Sequence, residues 1–416
     1  MGGQSIYPVV ITSQEGVDRQ MAILQGAARS AIEASSDHHL GGGDAVMFGI
    51  PANAHDFVSQ AESLFEGAKA DYENLELDGA IEKLNLAMSK LEGGAAFLTS
   101  LRLATDVLYY LGVCHAFNGD MDASNGAFLR AYVLAPDKKP DPDVFPPDVI
   151  AMFDEAINLV HSLGTGSLSV DTDPGAAQVY LDGSYMGLTP VSIDNIVAGK
   201  HFVRLVHAGY QLGGQVVQVQ KGKTQKVKTK LFPAYNASKI FTLAGGLPGL
   251  LVKGVDIAAP SLSSICTHLG VEQLLVIWLT SGDASSISAS FLVYDNAKGA
   301  VIAQRQGDGM SPQDGVLSMK GDELTRNTLL AALQASVSGT GVVTVIGPPV
   351  SGGAEPGTGP GEKKSVTKKW WFWVVLIGGA AAISGATTAG VCLGTDACKK
   401  GGPSGPGGTG DLVFEF

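Results

Sequence analysis

The sequence predicts a multidomain α+β protein with one membrane-spanning helix near its C-terminus. Three observations lead there. The spacing of apolar residues becomes helical near residue 53, alternates strictly from 166, and returns to a mixed α/β pattern over 239–346. Residues 370–393, WWFWVVLIGGAAAISGATTAGVCL, then run for 24 positions without a charge, where a spanning helix needs roughly 20. The 416 residues also exceed one ordinary domain, which holds about 100–200.

Residues 1–52 read as an α/β unit of strand, helix and strand. YPVVIT is β-branched, Val17, Met21, Leu24, Ala28 and Ile32 form one helical stripe, and AVMFGI is a second apolar run ended by Pro51. Between them, His38 and His39 with Asp37 and Asp44 stand in a Gly-rich stretch. Adjacent histidines in such a loop read as solvated, and no further pair with zinc-like spacing accompanies them.

Residues 53–163 read as helical hairpins. Leu64, Gly67, Ala68, Ala80, Leu84 and Ala87 form one unit around the turn LELDG; Leu108, Leu111, Gly112, Phe128, Ala131 and Pro136 form a second around NGDMD. Small residues belong where two helices cross closely, large ones where the next helix packs, and proline where a unit stops. In that order and spacing the residues resemble the tetratricopeptide repeat. Ser124 stands where that repeat places alanine, and the two units begin 44 residues apart, at Leu64 and Leu108. A prolyl segment then leads to one more helix, begun at Pro146 and Pro147. The resemblance implies a protein-docking surface, beside the plainer reading of a supporting helical layer.

Residues 166–232 alternate with period two. In HFVRLVH, Phe202, Arg204 and Val206 face opposite Val203, Leu205 and His207, as in half-buried antiparallel strands of a small sandwich. Asp182-Gly183 supplies a tight turn, Gly187 another bend, and Thr189-Pro190 an extended entry to the next strand. Asp182 is expected to bond backbone N–H groups of its own turn. With Pro174 and Ala177, Val179, Ala198-Gly199 and Gly209-Tyr210, these residues resemble the PEGA domain, a small β-sandwich. Its namesake motif here reads PGAA, with Gly175 and Ala176 in place of glutamate and glycine. The resemblance implies a binding or spacer module of a prokaryotic envelope protein, in the bacterial inner membrane given the predicted span.

Tyr180, Tyr185 and Tyr210 are the candidate contacts for a cell-wall or surface glycan, although alternation buries Tyr180 in part. Lys226, Lys228 and Lys230 share one face of the last strand. Lysines so placed keep an edge from pairing with another sheet; contact with an anionic polymer or lipid surface is the sharper alternative. GKT at 222–224 is no phosphate loop, because Val217 stands where the first glycine is needed and the context is strand, turn, strand.

In 239–346, SLSSICTHLG reads as a helix closed by Gly270, VEQLLVIWLT as a buried strand, SISASFLVYDNAKGAVIAQRQ as a hairpin, and DELTRNTLLAALQASVSG as an amphipathic helix. This module and residues 1–52 are either one domain with the middle of the chain inserted, or two small units. A Pro/Gly/Lys linker follows at 347–369, then the span and a Gly-rich tail at 394–416. Trp370, Trp371 and Trp373 suit the headgroup layer. Gly378 with Ala382, and Ala381, Gly385 and Ala389, offer a small-residue face for self-association in the bilayer.

The start, MGGQSIYPVVITSQEG, has neither a basic region nor a long apolar one, so it does not read as a signal peptide. Lys363, Lys364, Lys368 and Lys369 before the span outnumber Lys399 and Lys400 after it, which places the N-terminal part in the cytoplasm as written. A longer start carrying a signal peptide would reverse that side. The net charge of −12 argues against nucleic acid. No catalytic or cofactor motif appears: GxSxG, HExxH, CxxC, Walker A and the dinucleotide fingerprint in its strand-to-helix setting are absent. Cys114 and His115, adjacent on one helix, point to different faces. The expectation is therefore a non-enzymatic, membrane-anchored scaffold that binds envelope proteins, with glycan binding and an uncharacterised enzyme as alternatives, and no metal or cofactor.

Overall fold

A computed structural model describes residues 3–282, 287–310 and 331–334. The predicted span and both its flanks lie outside the described residues. Among those described, no helix is long and apolar enough to cross a membrane.

The chain opens with strand β1 (Gln4–Thr12), helix α1 (Asp18–Glu33), strand β2 (His38–Leu40) and a single-turn helix α2 (Asp44–Met47). Here the sequence reading needs correction. The second strand is the HHL segment, and AVMFGI starts as helix. Ala45, Val46 and Met47 carry no alternation to hold them extended. The triple glycine before them lets the chain pass so close to Tyr7 that a Cβ on Gly43 would lie 2.7 Å from its ring.

Two hairpins follow, α3 (Asp56–Glu73) with α4 (Leu77–Gly93) and α5 (Arg102–Phe117) with α6 (Met121–Leu134). Helix α7 (Pro147–Asn158), opened by proline in its first turn, packs on α6, and a single turn α8 (Val160–Leu163) ends the region. Gly112 is the close crossing: an added Cβ would sit 2.4 Å from the Phe128 ring. Phe128 in turn meets Phe153 edge to face at 5.8 Å, which ties the second hairpin to α7.

The chain then forms seven strands: β3 (Thr165–Asp173), β4 (Gln178–Leu181), β5 (Ser184–Leu188), β6 (Val191–Val197), β7 (Gly199–Val206), β8 (Gly213–Val219) and β9 (Thr224–Lys230). They make a three-stranded sheet, β6-β3-β9, and a four-stranded one, β5-β4-β7-β8. Leu168, Val170 and Val227 of the first meet Val179, Val203 and Val219 of the second in one core. All pairings are antiparallel except β3 with β9, which run parallel because the chain crosses the other sheet between them. The other face of β7 is not solvated, as alternation alone suggested: Phe202 is buried in the helical core. Gly214 of β8 lies against the Ala95-Ala96 backbone, where a Cβ would approach within 2.2 Å.

After β9 come α9 (Ser238–Leu251), a helix the sequence reading did not assign, and α10 (Val255–Leu269), closed by Gly270 in the left-handed conformation with φ 67°. Strands β10 (Gln273–Gly282), β11 (Ile287–Asp295) and β12 (Ala300–Met310) follow. β10 pairs parallel to β1 from Ile6↔Gln273 to Thr12↔Leu279. Segments 4–40 and 273–310 thus share one mixed sheet of order β12-β11-β10-β1-β2, and the helical region and sandwich emerge between its strands. One face packs on α9 and α10. The other packs on α1 and on Ala332 and Leu333, within the predicted amphipathic helix.

Candidate functional site between sandwich and mixed sheet

Of the candidate contact residues singled out in the sequence, Tyr180, Tyr185 and the three lysines do not converge with Tyr210. Tyr180 is half-buried: its hydroxyl donates to Gln178 Oε1 at 3.0 Å, its ring meets Tyr185 at 5.7 Å, and the Arg204 guanidinium lies 4.3 Å from its centroid. Tyr210 is buried apart from it, edge-on to His207 at 4.8 Å, and lines the same cavity as Pro190. Lys226, Lys228 and Lys230 are exposed on β9, an edge strand. They stand opposite Ser169, Asp171 and Asp173 of β3, so carboxylates on the neighbouring strand offset part of their charge.

Asp182 requires a second correction. It does occupy the turn, with φ 49° beside Gly183 at φ 84°, but its carboxylate leaves that turn. Oδ1 accepts from the Phe202 N–H at 2.8 Å, and Oδ2 meets His201 Nδ1 at 2.5 Å. His201 Nε2 lies 2.7 Å from the Val197 carbonyl. With an oxygen acceptor beside each nitrogen, the arrangement favours the protonated ring, in which both nitrogens donate. Burial, with the side chain 3 % exposed, pulls its pKa down. The hydrogen bond and charge of Asp182, together with the Val197 carbonyl, outweigh that and raise it above the ordinary histidine value.

Gly187 has φ 128°, and Pro190 follows a buried threonine that organises the altered PGAA loop. Thr189 Oγ1 accepts from the Ala177 N–H at 3.0 Å and contacts Thr172 Oγ1 at 2.5 Å; Thr172 donates to the Pro174 carbonyl at 2.7 Å. Pro174, Gly175, Ala176, Thr189 and Pro190 thereby form one wall of a cavity of about 490 Å³, completed by β1, α1 and α9.

Arg29, which also lines the cavity, grips Asp44 bidentately at 2.6 and 2.7 Å, and Tyr7 donates to the same carboxylate at 2.7 Å. Burial opposes the charge on Arg29, but Asp44 more than restores it and drives the guanidinium pKa up. Asp44, considered in the sequence beside His38 and His39, is thus engaged with a cation. His38 and His39 are successive residues of β2 and so face opposite sides. His207, also on the cavity, has its pKa lowered by burial and contacts the Ala208 carbonyl through Nδ1 at 3.0 Å. Gln178 reaches across from the sandwich to the Ala22 carbonyl at 3.2 Å.

Residues 165–234 match the PEGA domain family. This segment is a PEGA domain. No curated protein matches the chain, and no tetratricopeptide family match accompanies the helical region. The PEGA domain contributes its own signature loop to the cavity, so letters that in sequence look like turn chemistry also form a surface. Arg29, Gln25 and His207 were missed as site residues, because each reads as an ordinary helix or strand residue; only Pro8 inside a β-branched run hinted at an open strand edge. Burial pushes the Cys114 thiol up to about 11 and the Cys266 thiol up to about 12, which suits packing rather than nucleophilic chemistry.

Proposed function

We propose that the protein is a non-enzymatic scaffold of the prokaryotic envelope, anchored by the 370–393 segment and docking another protein through its helical hairpins. The supporting observation is an apolar tip. Leu75, in the first hairpin's turn, is 77 % exposed; Phe117 and Met121, flanking the second turn, are each 45 % exposed. Phe117 stacks on Tyr72 at 6.3 Å and Asn118 bonds Asp78 at 3.0 Å, which sets the two turns side by side. Large apolar side chains grouped on an exposed surface favour a protein partner. The candidate glycan tyrosines are engaged in packing, which favours this reading over carbohydrate binding.

The test replaces Leu75 with a photo-crosslinking residue in the full chain, expressed in cells. A discrete adduct with another protein, lost in Phe117→Ser, is expected; adducts equal to those from a probe at Lys226 would overturn the reading. Protease treatment of spheroplasts assigns the side. Digestion of the PEGA domain from outside would exclude a cytoplasmic location.

A further inference from the structure

The mixed sheet is incomplete beside the cavity. β2 covers only Gln4, Ser5 and Ile6 of the nine-residue β1. On that side the Gln4 N–H donates to the Asp37 carbonyl at 2.9 Å, and the Ile6 carbonyl accepts from the Gly41 N–H at 3.2 Å. Backbone groups of alternate residues point the same way along a strand, so Pro8 and Val10 follow Gln4 and Ile6. Pro8 has no N–H, and its carbonyl accepts from Gln25 Nε2 at 3.0 Å. Val10 is the next residue in that series, it borders the cavity, and no strand among the described residues lies opposite it. Its donor and acceptor form the pair that one residue of an antiparallel strand satisfies with two hydrogen bonds.

The walls around this edge are mainly apolar, with Met21 and Ala22 from α1, Ile240 and Ala244 from α9, and Val206 from the PEGA domain. The charged residues are balanced: Arg29 is held by Asp44, and Asp18 and Arg19 are of opposite sign. Nothing there selects an ionic head group. The volume of about 490 Å³ falls within the range of ligand cavities, roughly 300–1,000 Å³.

We propose that this cavity binds a short, extended, uncharged peptide segment with apolar side chains, which pairs through its main chain with Val10. Main-chain pairing supplies affinity, and the apolar walls select side chains, as in strand addition to other open sheet edges. The PEGA signature loop closes the site from the sandwich side. The proposal concerns a different surface from the hairpin tip and stands or falls separately from it.

The experiment uses the full chain in lipid nanodiscs and a fluorescent, capped Val-Thr-Val-Ile peptide, read by anisotropy. Saturable binding is expected, weakened about tenfold by N-methylation of the peptide backbone, equivalent to about 1.4 kcal/mol. Met21→Trp and, independently, Gly175→Trp should each weaken it at least about tenfold by occupying the cavity, with Leu75→Ser unchanged. Gly175 is exposed and has room for a side chain, so that variant is expected to fold. Equal binding of the N-methylated peptide, displacement by a medium-chain fatty acid with no loss on N-methylation, no saturable binding, or wild-type binding by both tryptophan variants would each overturn the proposal.

Discussion

The helical hairpins and the PEGA domain emerge from the same sheet, yet different physics holds them together. The hairpins are joined by shape: Gly112 admits the Phe128 ring, and Phe153 receives both Phe128 and Tyr109 edge to face at 5.8 and 5.4 Å. The sandwich has an apolar core too, but its turns are fixed by buried polar ties, Asp182 to His201 and Thr189 to Thr172. Shape fails when volume changes. A polar tie fails when a partner or a proton is removed, so the two regions should respond to different perturbations.

The largest expected effect is in the sandwich. Asp182→Ala leaves the His201 ring buried without its carboxylate and the Phe202 N–H without its acceptor. Removing one partner of a buried pair costs about 3–5 kcal/mol, visible as lost hydrogen-exchange protection across 165–231 while the hairpins keep theirs. The same pair carries a pH dependence. The His201 pKa is raised on folding, so its stabilisation is complete below the unfolded value of about 6.5 and is lost as pH rises through the folded value. Protection of the sandwich should decline over that rise in the native protein; in Asp182→Ala this contribution should shrink.

The converse test is Gly112→Ala. The methyl group must displace Phe128, and overpacking of this kind costs about 1–3 kcal/mol; exchange should quicken in the hairpins first and show no comparable pH dependence. Gly183→Val is smaller. Nothing lies within 4 Å of its Cβ position, so the cost is the φ of 84° alone, about 1–2 kcal/mol, read as a lower urea midpoint for the sandwich. Smallest, and opposite in sign, is Ser124→Ala. The Ser124 hydroxyl is buried in α6 without a hydrogen-bond partner among the described residues, so alanine should raise hairpin stability by about 1 kcal/mol. A loss instead would show that the hydroxyl does have a partner in solution.

Much of this comparison was legible in residue order. Gly112 and Phe128 carry the hairpin signature, Ser124 stands out against it, and Asp182-Gly183 marks a turn. The reading failed where a residue's role depends on distant chain. Asp182 looked self-contained because aspartates in turns commonly bond their own backbone, whereas its partner is 19 positions away on β7. AVMFGI looked like strand because short apolar runs do not distinguish strand from helix. Phe202 and Arg204 looked half-solvated because alternation cannot report that helices cover the second face. The cavity was invisible for the same reason: its walls come from β1, α1, the PEGA domain and α9.

Amino-acid order by itself determined the hairpins, the sandwich strands, their turns and the PEGA signature, since periodicity, backbone stereochemistry and turn chemistry act over a few residues. Tertiary structure alone decided that β1 lies beside β10, that Arg29 and Tyr7 converge on Asp44, and that the signature loop and β1 line one cavity. Those outcomes depend on contacts such as Ser5 N–H to Glu272 at 2.9 Å, 267 positions apart. No local pattern encodes such a partner, because it is chosen by the burial of whole faces.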